Sequence, residues 1–248
     1  MQKRLAEGAQ AVTVVPIRWL TVFLDFPADS FGAGVAFWAE VTGSGLSPFR
    51  GAAGEFATLL PPYGDAYLRV QRIADGSGGH HIDLHVDPAL ASVDQAAEAV
   101  VALGATIRHR EEGLVISSSP GGFTFCLVRW HGEGDAPGPV RLDGGGASRV
   151  NEFCLDVPAS VFERERSFWA ALTGWEGQGG DRSALPVRLE LRRADLDDRV
   201  TGHLAFGCAD RRALAARHAA AGARILAVLP HQTEMADPVG RRYLLRTG

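Results

Sequence analysis

The sequence predicts an α+β fold built as a tandem duplication, and two observations carry that prediction. First, Phe23–Gly43 aligns without gaps to Cys154–Gly174 at an offset of 131 residues. Leu24, Asp25, Pro27, Phe31, Phe37, Trp38, Thr42 and Gly43 recur as Leu155, Asp156, Pro158, Phe162, Phe168, Trp169, Thr173 and Gly174. Chance rarely repeats Trp, Phe and Pro in such density, and self-similarity has to be read before any local motif. Second, each half contains another strand–helix unit. His81–Pro88 with Val100–Ile107 matches His203–Asp210 with His218–Ile225. Both units close on a turn and a strand, Ser119–Val128 and Asp237–Arg246. The repeating unit is a strand, a helix and short strands, four times over.

The strands show period-2 alternation, which separates their two faces. Val22, Leu24 and Phe26 oppose Thr21, Phe23 and Asp25, while Ile82, Leu84 and Val86 oppose His81, Asp83 and His85. In the second half Phe153, Leu155 and Val157 oppose Glu152, Cys154 and Asp156, and Leu204, Phe206 and Cys208 oppose His203, Ala205 and Gly207. One face needs a helical cover, and the other is polar or small. The covers are Ser30–Thr42, with Phe31, Val35 and Trp38 on one helical face, and two Ala-rich helices at Ala96–Leu103 and Ala213–Ala221. Gly104 and Gly222 follow the Ala-rich helices as stops, and Asp29 or Ser30 and Ser160 are candidate N-caps. Trp38 and Trp169 are expected to anchor the core.

The chain has 248 residues, enough for two domains of ordinary size. The expected division is a tail over 1–15, a domain over 16–130, a Gly- and Pro-rich linker over 131–148 and a domain over 149–248. The net charge of -4 gives no electrostatic footprint for nucleic acid or an anionic membrane. Cys126, Cys154 and Cys208 lack C-x-x-C spacing, which argues against a disulfide framework and for a reducing compartment. The run Val14–Phe26 is too short and charged to span a bilayer, so a cytoplasmic location is expected. All three cysteines are expected to be buried small hydrophobes.

Asp25–Gly43 (D-x-P…A-F-W-A-x-x-T-G), its copy at Asp156–Gly174, the strand H-I-D-L-H-V, Leu103–Ala105 and Ala236–Gly240 together resemble the vicinal-oxygen-chelate superfamily. That superfamily includes glyoxalases, bleomycin-resistance proteins and ring-cleaving dioxygenases. The resemblance spans nearly all the chain from about Ile17. It implies four βαβββ modules forming two curved mixed sheets, helices on the convex side and a cup for a small molecule in each sheet. It also implies, in metal-using members, ligands from the first and last strands of each unit, and it leaves a homodimer open.

Carried onto this chain, the resemblance gives the first cup Thr21, Phe23, Asp25, Arg69, Gln71, His81, Asp83, His85 and Cys126 as ligand-binding residues. The guanidinium of Arg69 beside His81 speaks against a hard cation there and suits an anionic or oxygen-rich ligand. The second cup would hold Glu152, Cys154, Asp156, Glu190, His203 and Leu244. Of these, Glu152, Glu190 and His203 form the candidate metal set, and Leu244 cannot ligate. His81 and His203 are the candidate catalytic bases, since a neighbouring carboxylate orients an imidazole and raises its basicity. Capping of the next helix or of a turn is the favoured expectation for Asp25 and Asp156. The functional expectation is a small-molecule-binding protein without a complete metal site. The alternative is a lyase, isomerase or dioxygenase carrying Fe, Mn, Ni or Zn in the second half.

Overall fold

The computed structural model describes residues 15–143, 146–174, 185–195 and 199–247. The expected tail therefore falls, except for Val15, outside the described residues. Two mixed sheets follow one another along the chain. The first contains β1 (Ile17–Pro27), β2 (Gly45–Leu46), β3 (Phe56–Leu60), β4 (Leu68–Ile73), β5 (Gly79–Val86), β6 (Thr106–Glu111), β7 (Leu114–Ser118) and β8 (Thr124–Arg129). Helices α1 (Phe31–Thr42) and α2 (Val93–Ala102) interrupt it after β1 and β5. Its order is β2-β3-β4-β1-β5-β8-β7-β6, so two βαβββ units meet edge to edge through the antiparallel β1–β5 pair.

The second sheet contains β10 (Gly146–Pro158), β11 (Arg188–Ala194), β12 (Thr201–Cys208), β13 (Arg224–Val228), β14 (Gln232–Ala236) and β15 (Arg242–Thr247), in the order β11-β10-β12-β15-β14-β13. A short strand, β9 (Val140–Leu142), pairs with the start of β10. Helices α3 (Phe162–Thr173) and α4 (Arg211–Ala220) follow β10 and β12. The third unit differs from the expected pattern among the described residues, with β11 as the strand described after α3. The segment expected to be a linker carries β9 and the first residues of β10, because Val140 and Leu142 supply apolar side chains its composition understates.

Local rules explain the helix ends. Ser92 caps α2 in a full capping box with Gln95, and the Asp210 carboxylate accepts from the backbone of Arg212 and Ala213 at the start of α4. The caps expected for α1 and α3 are not made: Ser30 makes no capping hydrogen bond, and Val161 holds the position expected for Ser160.

The apolar faces of both sheets and the helices between them form one continuous core. Helix α1 reaches across the molecule. Trp38, 1% exposed, packs its ring 6.1 Å from Phe206 and 5.3 Å from Tyr243, both in the second half. Reciprocally, Trp169 of α3 packs 5.4 Å from Phe125 of the first half. Fully buried Glu165 of α3 accepts from Ser119 Oγ and, at 2.7 Å, from the Gly121 amide. Both tryptophans are core anchors, as expected, but each anchors the opposite half.

Candidate functional site

The register of β1 against β5 sets Thr21 opposite Asp83 and Phe23 opposite His81. Cys126 on β8 lies beside Asp83, while Arg69 and Gln71 on β4 lie beside Phe23 and Asp25. The residues expected in the first cup therefore share one face. Period-2 geometry accounts for this, since Val22, Leu24, Ile82 and Leu84 are consumed by the core on the other.

Within that face the polar groups pair off. His81 Nδ1 lies 2.7 Å from Asp25 Oδ2, and its ring stacks on Phe23 with centroids 4.3 Å apart. The expectation that Asp25 caps a turn is corrected here: its carboxylate orients a histidine. Burial works against a charge on His81, but the Asp25 carboxylate outweighs it and the imidazole pKa rises. His85 bonds Thr21 Oγ1 at 3.0 Å, and burial pushes its pKa down to about 4 against the pull of Glu133, so it is neutral at pH 7. Asp83 is 6% exposed, and burial raises its pKa despite His81 and Arg69, whose Nη1 stands 3.8 Å away. Burial, reinforced by Asp83, holds the Cys126 thiol protonated, which disqualifies it as a nucleophile.

The Asp25–His81 pair opens onto a cavity of about 410 Å³, whose far wall is Arg199–Gly202 from the second half. One Asp25 oxygen, Oδ1, is buried without a partner among the described residues.

The second cup repeats the pair and changes everything else. Asp156 Oδ2 lies 3.0 Å from His203 Nδ1, so this aspartate also orients a histidine instead of capping a turn. Burial raises the Asp156 pKa, but His203, Arg242 and Arg192 more than reverse this and hold it ionised. The expected metal set is not assembled. The donor group that converges is Glu152, Cys154 and Glu190, with His203 engaged instead by Asp156. Arg246 Nη1 enters that group, bonding Glu152 and lying 2.5 Å from Glu190 Oε2, while Arg188 holds the other Glu152 oxygen. A guanidinium thus stands where a cation would have to bind, and these residues do not fit a metal ion. Beneath it Cys154, Ala205 and Leu244 form a small sealed floor.

Sequence reasoning missed Arg242 and Arg246. Both lie two residues from Leu244 on β15 and so point the same way, and that alternation was the available signal. It also missed Glu133, which comes from the segment after β8 to stand 3.4 Å from His85.

The chain matches the family described as "Glyoxalase-like domain" over residues 21–128 and 152–245, most of its length. Among solved structures, the Mn(II)-bound glyoxalase from Novosphingobium aromaticivorans is similar at a TM-score of 0.64 and 18% identity, with 94% of this chain and 82% of that one covered. The 2,2',3-trihydroxybiphenyl 1,2-dioxygenase from Sphingomonas wittichii is similar at 0.60 and 16%, covering 95% and 91%. Homoprotocatechuate 2,3-dioxygenase from Arthrobacter globiformis is similar at 0.58 and 16%, covering 96% and 83%. At such identities the likeness establishes the fold. No curated protein matches the chain.

Proposed function

Because the chain belongs to the glyoxalase-like domain family of the vicinal-oxygen-chelate superfamily, we propose that it binds a small, oxygen-rich anion in the first cup. The observation that carries this reading is the Asp25–His81 pair at the wall of the 410 Å³ cavity. Asp25 raises the His81 pKa and offsets its charge, so what the pair offers a ligand oxygen is the N–H of the other ring nitrogen. Phe23 holds the ring flat, and Arg199, on the same wall as Asp75, is the cation of the cavity. Thermal shift against a panel of aromatic carboxylates is the test. The melting temperature should rise for at least one compound, and the rise should vanish in His81→Ala and persist in His203→Leu. A response indifferent to His81 refutes the reading.

One observation favours a second reading, a divalent cation in this same cup. His81, Asp83 and Cys126 bring one donor atom each within 4.8 Å of one another, and Asp25 orients the imidazole as a carboxylate behind a metal-bound histidine does. Such a mixed nitrogen, oxygen and sulfur set suits Zn better than Mn. When bound, the ion would supply Lewis acidity for lyase, isomerase or dioxygenase chemistry. Asp25 would then hold the His81 ring in place, and Arg69 would stay beside Asp83. Elemental analysis after stripping and reloading decides it: stoichiometric metal lost in Asp83→Asn supports the cation, and none in the wild type excludes it.

A further inference from the structure

A second cavity, of about 250 Å³, lies where the second cup meets the first half. Its wall includes His203 and Asp156 from the second half, His80 and the Ser77–Gly79 turn from the first, and Arg241 and Arg242 from the approach to β15. Among the described residues, three nitrogens of this wall are buried without a hydrogen-bond partner: His203 Nε2, His80 Nε2 and Arg241 Nη2. Leaving a buried polar group unsatisfied is costly, so three on residues around one cavity point to a polar occupant.

The partners already made define what is missing. His203 is 3% exposed and turns Nδ1 to the Asp156 carboxylate, which accepts its N–H; in the neutral imidazole Nε2 then carries the lone pair. His80 faces the backbone of Gly202, which leaves its Nε2 in the same state. These two nitrogens want a hydroxyl donor. Arg241 is held rigidly, with Nη1 donating to the Gly79 carbonyl at 2.6 Å and its guanidinium 3.9 Å over the Phe26 ring. Its Nη2 can only donate, and a planar guanidinium donates best to an oxyanion. Asp156, already facing His203 and Arg242, leaves the wall richer in positive charge than negative.

We propose that this cavity is a binding site for a small hydroxycarboxylate, with the carboxylate on Arg241 and the single hydroxyl hydrogen donated to His203 Nε2. The site adjoins the cavity of the first cup and shares Ser77–His80 and Thr201–Gly202 with it. His203 and Arg241 do not line that cavity and His81 does not line this one, so variants at these residues test the two sites apart.

The full chain at low ionic strength is titrated calorimetrically with lactate, and in parallel with propionate and inorganic phosphate. Lactate should bind one per chain, roughly tenfold tighter than propionate, the worth of one well-made hydrogen bond. His203→Leu should abolish that preference while circular dichroism stays unchanged, and Arg241→Met should abolish binding of both. If Arg241→Met does not fold, the loss of discrimination in His203→Leu decides alone. His81→Ala should leave lactate binding intact. No saturable lactate binding, equal affinity for lactate and propionate, an unaltered preference in His203→Leu, or binding of phosphate alone would each overturn the proposal.

Discussion

Trp38 Nε1 donates to Asp237 Oδ2 across 2.9 Å, joining the first helix of one half to the last turn of the other. The same aspartate accepts the amides of Val239 and Arg241 through Oδ1, so one buried carboxylate organises the turn and fastens the halves. Trp38→Phe keeps most of the ring packing and strands Asp237 Oδ2. It should cost about 1–3 kcal/mol in urea unfolding. Because the core is continuous, unfolding followed at Trp38 and at Trp169 should give one coincident transition. Two separable transitions would contradict the interlock.

Arg246 stands between Glu152 and Glu190. Arg246→Ala should destabilise the fold by about 2–4 kcal/mol, below the figure for a wholly buried pair because Glu190 is a third exposed. It should also open the Glu152–Cys154–Glu190 group to a cation. A Zn-dependent rise in melting temperature is expected in the variant and attributed to that group if Glu190→Gln, added to it, removes the rise. No Zn response in Arg246→Ala would mean that the guanidinium is not what fills the site.

His218 is fully buried against Tyr243, whose hydroxyl lies 2.9 Å from Nδ1, and burial holds its pKa near 4; His85 behaves alike. A histidine depressed below its unfolded value near 6.5 makes the folded state bind fewer protons, so stability falls as pH drops from about 6.5 to about 4. His218→Phe should remove its share of that loss and leave the part due to His85, at a constant cost at neutral pH from the unpaired Tyr243 hydroxyl. Denaturation curves at pH 7.5, 6, 5 and 4 measure both. An unchanged slope would show that His218 titrates normally.

Gly34 lies within α1, where alanine ordinarily gains roughly 1 kcal/mol over glycine. Here a Cβ would come 2.3 Å from Phe26 Cε1. Overpacking of that kind costs about 1–3 kcal/mol, so Gly34→Ala should destabilise on balance. A stabilised variant would show that Phe26 has room to move.

The duplication, the strand faces and the helical covers were legible because they rest on local periodicity. The side chains of the first cup followed from the same alternation, as did the placing of Asp25 beside His81 on one face. The pairing itself was not legible. Whether Asp25 caps its own turn or meets a strand 56 residues away depends on the β1–β5 register, which one-dimensional spacing leaves open. The metal set of the second half failed for a related reason. Placing Leu244 in the second cup gave the right strand and face, yet Arg246, two residues further along it, is long enough to reach both glutamates. Long flexible side chains, unlike strand faces, are not confined to their own position.

Each hollow ends on residues belonging to the opposite copy: Arg199–Gly202 beside the Asp25–His81 pair, Ser77–His80 beside Asp156–His203. Duplicated segments are usually free to diverge, one conserving the ancestral role while its twin drifts. Here a substitution in either turn reshapes a chamber encoded elsewhere in the chain. The two copies are therefore bound to evolve as neighbours sharing a wall, and neither could be transplanted alone without leaving its chamber open at one end.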